Sequence, residues 1–118
     1  MRLGVAAAVV DGALVRGDVE VADGVVGAVG LEDGNGSGLA VPGLVDLQVN
    51  GFAGVDFLQA TADDVTLAGR ALARSGVLWY QPTLITAPPD LTRLALTTIG
   101  SADTEGGARI LGVHLEGP

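Results

Sequence analysis

The chain of 118 residues has no cysteine and no lysine, a single histidine and four aromatic side chains. Without cysteine, disulfides, thiolate metal sites and thiol nucleophiles are all excluded. Its six basic residues, all arginine, face fourteen acidic ones, for a formal charge of −8. Such a balance repels phosphate backbones and argues against nucleic-acid binding, and any phosphate-bearing ligand would need cations from elsewhere. No run approaches the roughly 20 apolar residues of a membrane span, so no membrane partner is expected. Met1-Arg2 followed by Leu3 to Val10 imitates a secretory leader, but Asp11 interrupts it and a hairpin accounts for the same residues. A cytoplasmic protein is the expectation. What the chain does have is 48% hydrophobic residues, mostly Ala, Val and Leu, and 19 glycines, which suits close-packed α/β layers joined by tight turns.

The first 41 residues carry β punctuation. Asp11-Gly12 separates Val5 to Val10 from Ala13 to Val15, and Asp23-Gly24 separates Val19 to Ala22 from Val25 to Val29. Asp-Gly between short β-rich runs predicts two hairpins, because both residues tolerate positive φ. Residues 32 to 38 read as a loop, Pro42-Gly43 as a turn, and a domain boundary is expected at about residue 41.

From residue 42 the pattern becomes β-α-β-α-β. Leu44 to Asn50 predicts a strand, and Gly51, Ala53 and Gly54 a flexible loop. Thr61 and Asp64 have capping-box spacing, ahead of a helix with Val65, Ala68 and Leu72 on one face and a stop at Ser75-Gly76. Val77 to Ile85 is a second strand, which Pro82 would interrupt or set beside a bulge. Pro88-Pro89-Asp90 opens a second helix with Leu91, Leu94, Ala95 and Thr98 on one side. A third strand follows at Ile110 to Val113. The fold class expected is α/β. It is the N-terminal part of a (β/α)8 TIM-type barrel, about three strands, preceded by strands of a small β-sandwich domain. The domains are 1–41 and 42–118.

Three polar residues in the first barrel strand, Asp46, Gln48 and Asn50, alternate with Leu47 and Val49, so a regular strand projects all three from one face. That face is either solvated or aimed at a site, and the βαβ context, which covers both faces, favours the site. Glu116 follows the third strand, where a parallel barrel opens into its active-site loops, and can be read as metal ligand, general base or solvated loop carboxylate. His114, two residues earlier, is read as a structural or outer hydrogen-bonding group in preference to a ligand. Trp79 and Tyr80 are read as packing residues of a buried strand.

Three segments taken together, Pro42-Gly43-Leu44-Val45-Asp46-Leu47-Gln48-Val49-Asn50-Gly51, Pro82-Thr83-Leu84-Ile85-Thr86 and Leu111-Gly112-Val113-His114-Leu115-Glu116-Gly117-Pro118, resemble the N-acetylglucosamine-6-phosphate deacetylases of the amidohydrolase superfamily. The first is common to many amidohydrolases; the second and third at this separation are more specific. The resemblance implies the N-terminal third of a metal-dependent hydrolase that removes acetate from N-acetylglucosamine 6-phosphate. It also implies one divalent metal ion, zinc in the first instance. Glu116 would hold that ion with two histidines from later strands, and the aspartate acting as general base would also lie beyond Pro118. No catalytic residue is therefore expected within these 118. Gln48 and Asn50 stand where many amidohydrolases have His-x-His. Carboxamides are weaker ligands than imidazoles, so these two are better suited to orienting water near the metal than to building a second metal site. Expected partners are an amino-sugar phosphate, the remainder of the same polypeptide and, in the complete protein, further copies of itself. The rival readings are another amidohydrolase acting on a cyclic amide or N-acyl amino acid, and a non-catalytic fragment that binds a partner through open sheet edges.

Overall fold

The computed structural model describes residues 1–32 and 35–117, so residues 33 and 34 of the predicted loop and Pro118 lie outside the described residues. The chain divides into two compact units, Met1–Pro42 and Gly43–Pro118.

In the first unit, β1 (Ala7–Val10) pairs antiparallel with β2 (Ala13–Arg16), and β3 (Asp18–Ala22) with β4 (Val25–Leu31). Both turns have positive φ at Asp and Gly, 49° and 78° at Asp11-Gly12 and 51° and 75° at Asp23-Gly24, the backbone a two-residue hairpin needs. A two-residue strand, β5 (Leu39–Ala40), joins β1 in parallel. Gly17 links the hairpins at φ 109°, and a Cβ there would lie 2.5 Å from the Leu31 carbonyl oxygen, so only glycine fits. Asp18, beside it, is buried, and its Oδ1 accepts the N–H groups of Val5 and Val19.

The second unit is built on one strand. β9 (Val77–Leu84) runs unbroken through Pro82 and pairs in parallel with β6 (Leu44–Val49) on one side. On the other it pairs with β10 (Arg109–Ile110) and β11 (His114–Leu115). The predicted third strand is thus two short pieces separated by Leu111 to Val113. Pro82 is the physical reason. The Tyr80 and Leu84 carbonyls accept the N–H groups of Leu111 and Glu116, so Pro82, in the same phase of the strand, faces the third strand with no N–H to donate.

The supposed flexible loop after β6 is a tight hairpin of β7 (Gly51–Phe52) and β8 (Val55–Asp56), turning through Ala53 and Gly54, both at positive φ. Helix α1 (Ala62–Arg74) starts at the Thr61 and Asp64 capping box and buries Val65, Ala68, Gly69 and Leu72. Helix α2 (Pro89–Ser101) buries Ala95 and Ile99; Leu94, expected on one side with Ala95, is 63% exposed because the helix turns its 95/99 stripe inward. These helices and Phe57 enclose Val49, Tyr80, Leu84 and Ala108 in one core, with the Phe57 and Tyr80 rings 5.9 Å apart. Burial pushes the Tyr80 hydroxyl up to about 12.

The other face of the sheet is uncovered among the described residues. Val45, Leu47 and Leu111 are about half exposed there, and Arg109 lies over the Trp79 ring at 5.5 Å, so Trp79 is not the buried packing residue expected. No helix among the described residues is long and apolar enough to cross a membrane.

Candidate active site

β6 is not a regular strand. Asp46 pairs with Tyr80 and Val49 with Pro82, so three residues of β6 span two of β9 and one residue is extra. Because side chains alternate along a strand, one extra residue exchanges the faces of everything after it. The expectation that Asp46, Gln48 and Asn50 share a face is therefore corrected. Asp46 is in phase with buried Tyr80 on the helix side, whereas Gln48 and Asn50 flank buried Val49 and project from the opposite, open face. Leu47 takes up the irregularity and is 59% exposed, so it does not cover the strand as predicted. The Asp46 carboxylate folds back over it, its Oδ1 accepting the Gln48 backbone N–H at 3.1 Å.

Glu116 is delivered to the same place from the other side of β9. His114 and Leu115 pair with Thr83 and Leu84, the Glu116 N–H donates to the Leu84 carbonyl at 3.1 Å, and the Thr86 hydroxyl donates to the Gly117 carbonyl at 3.0 Å. The loop is held on both flanks of the carboxylate. There the Gln48 Nε2 donates to Glu116 Oε1 at 3.1 Å and the Asn50 Nδ2 donates to the same oxygen at 3.0 Å. Residues 66 and 68 positions apart thus meet at one atom.

The hydrogen bond from Asn50, then that from Gln48, hold the Glu116 carboxyl below the usual carboxylate range. Partial desolvation opposes them, and the nearby His114 adds a smaller pull in the same direction. Glu116 is therefore anionic at neutral pH, with its second oxygen, Oε2, taking no hydrogen bond among the described residues. His114 is half-buried, its Nδ1 3.4 Å from the hydroxyl of buried Thr83.

The donor set fits one anchor of a cation site. One oxygen of a fixed carboxylate is saturated by neutral donors and the other is free for a positive charge. It does not amount to a whole site, since no group of three or more His, Asp or Glu side chains among the described residues could hold a metal ion. The clamp was foreseeable in its members but not in its form. Thr83 and Thr86, which seat the loop, carried no signal beyond their place in the Pro82 to Thr86 motif.

No family model matches the chain. Among curated proteins it is 44% identical over 87 residues to N-acetylglucosamine-6-phosphate deacetylase of Rattus norvegicus, covering 70% of this chain and 21% of that one. It is 40% identical over 80 residues to the enzyme of the same name from Vibrio furnissii, 66% of this chain and 20% of that one. To N-acetylgalactosamine-6-phosphate deacetylase of Escherichia coli O157:H7 it is 35% identical over 107 residues, 85% of this chain and 28% of that one. The solved structure of N-acetylglucosamine-6-phosphate deacetylase from Thermotoga maritima superposes with a TM-score of 0.80 at 27% identity, covering all of this chain and 32% of that one. The chain spans about a fifth of the length of the first two curated relatives. Those matches bear out the resemblance carried by the motifs: this chain is similar to part of the N-acetylglucosamine-6-phosphate deacetylases.

Proposed function

We propose that the chain is part of a (β/α)8 amidohydrolase that removes acetate from N-acetylglucosamine 6-phosphate, with residues 1 to 41 contributing to a small β-sandwich and residues 42 to 118 supplying the first three barrel strands. The observation that carries this reading is the convergence of Gln48, Asn50 and Glu116 at the C-terminal ends of parallel strands, where barrel enzymes keep their chemistry. Glu116 would be this chain's one ligand to a divalent ion, zinc in the first instance. Such an ion, when bound, acidifies water and polarises the acetamide carbonyl. Gln48 and Asn50 hold the Glu116 carboxylate in one orientation, and their remaining amide oxygens are acceptors for water at the site. His114, resting on Thr83, supports the loop from behind. The remaining ligands and the proton-transferring aspartate would come from sequence other than these residues.

The likeness to the galactosamine-6-phosphate enzyme of Escherichia coli O157:H7 makes the 4-epimer the competing substrate. The test is acetate release by the full-length protein from both N-acetylated sugar phosphates, before and after removal of metal. Glu116→Ala is expected to lower bound divalent metal and abolish turnover. Normal metal content and turnover in that variant would refute the assignment, and a preference for the galactosamine compound would move the substrate to its epimer.

A further inference from the structure

The extra residue in β6 decides whether there is a site at all. In a regular strand Gln48 and Asn50 would stay in phase with Asp46, on the side of Tyr80 and the helices, and could not reach Glu116. Something must hold the irregularity open, because the side chain it displaces, Leu47, is apolar and more than half exposed, and so contributes little burial to fix its place. The only side-chain hydrogen bond spanning it among the described residues is the one from the Gln48 N–H to Asp46 Oδ1. It closes a three-residue turn around Leu47 of the kind aspartate makes with backbone two residues on.

We propose that Asp46 is a positioning residue: its carboxylate, by accepting the Gln48 backbone N–H across Leu47, fixes the phase of β6 that turns Gln48 and Asn50 onto Glu116. This rests on reading Glu116 as the working carboxylate of the site, but it concerns geometry set before any metal or substrate arrives. It also accounts for an acidic residue placed opposite a buried tyrosine, where its charge has no partner of opposite sign within salt-bridge distance among the described residues.

The experiment is hydrogen exchange by NMR on the full-length protein, labelled with 15N at glutamine and asparagine, without metal or substrate. In the unmodified protein the Gln48 backbone N–H and the side-chain amides of Gln48 and Asn50 are expected to exchange slowly. A freely exchanging Gln48 N–H would overturn the proposal with no variant needed. Asp46→Ala is expected to speed exchange of both side-chain amides by about tenfold, the scale of one lost hydrogen bond, while the Val49 and Tyr80 amides, followed by uniform labelling, keep their protection. Asp46→Asn, whose amide oxygen can accept the same N–H, is expected to restore slow exchange. Unchanged side-chain exchange in the alanine variant, or an asparagine variant no better than the alanine one, would overturn the proposal. If the alanine variant does not fold, the asparagine variant and the unmodified protein still decide it. The reading of Glu116 stands or falls separately, by the metal content of Glu116→Ala.

Discussion

A carboxylate that accepts two amide hydrogens on one oxygen gives up protons readily and has its other oxygen to offer, so Glu116 is prepared as an anion before any cation arrives. The two carboxamides secure that state without adding charge. Replacing both with histidine exchanges weak neutral donors for strong ligands, so Gln48→His with Asn50→His is expected to raise the divalent metal bound per full-length chain, as measured by elemental analysis. An unmodified protein already holding two ions per subunit would contradict this. A second carboxylate matters for a different reason. Burial, the largest single influence on Asp18, raises its carboxyl, but the backbone N–H groups of Val19, Val5 and Gly4, with the Arg2 charge, together outweigh it and leave the group below its ordinary value. A depressed folded-state value means that the stability Asp18 contributes is complete above the unfolded value, about 3.9, and is lost as pH falls through the lower folded one. Thermal unfolding followed downward from pH 5 should therefore show an acid loss that is smaller in Asp18→Asn. Parallel curves for the two proteins would remove Asp18 as the cause.

Among the elements, the start of α1 makes the most local claim. Thr61 Oγ1 accepts the Asp64 N–H and the Asp64 carboxylate accepts the Thr61 N–H, so Thr61→Ala should cost about 1 kcal/mol in chemical denaturation, with the slope of the transition unchanged. A loss below a few tenths of that would show that tertiary packing alone holds the helix end. This box was legible because both its partners lie within one turn of sequence, and the two Asp-Gly hairpins were legible for the same reason. The β6 bulge was not. Its holding residue, Asp46, lies within Leu44 to Asn50, but the extra residue appears only against the register of β9, the strand alongside, which is not written there. The break in the third strand is non-local in a different way, since Pro82 acts across the sheet on residues some thirty positions away. Gln48, Asn50 and Glu116 could be named from the sequence because their motifs resemble those of a family. The single oxygen that joins them could be found only once the phase of β6 was known.

For the molecule as a whole, the second unit packs its helices on one side of a parallel sheet and leaves Val45, Leu47 and Leu111 open on the other. Residues 1–118 expressed alone are expected to release no acetate from N-acetylglucosamine 6-phosphate, even with added zinc. One carboxylate cannot fix an ion that typically takes about three protein ligands, and misplacing a reacting group by about 1 Å can cost ~10²-fold. The same piece should self-associate through its uncovered face and edges, which chromatography with light scattering would detect. Metal-dependent turnover by a monodisperse 11.7 kDa species would overturn this expectation. The central position of β9 bears on how the second unit assembles as well as on its shape. Among the described residues β6, β10 and β11 pair with it and not with one another, so every ladder among these four strands includes Val77–Leu84. Each pairing closes a long loop onto β9, a costly step that an early-formed β9 would ease. Changes in β9 are therefore expected to act on the rate of folding, and changes around Leu47 or in the loop that carries Glu116 on the rate of unfolding, a contrast that folding and unfolding rates measured across denaturant would show.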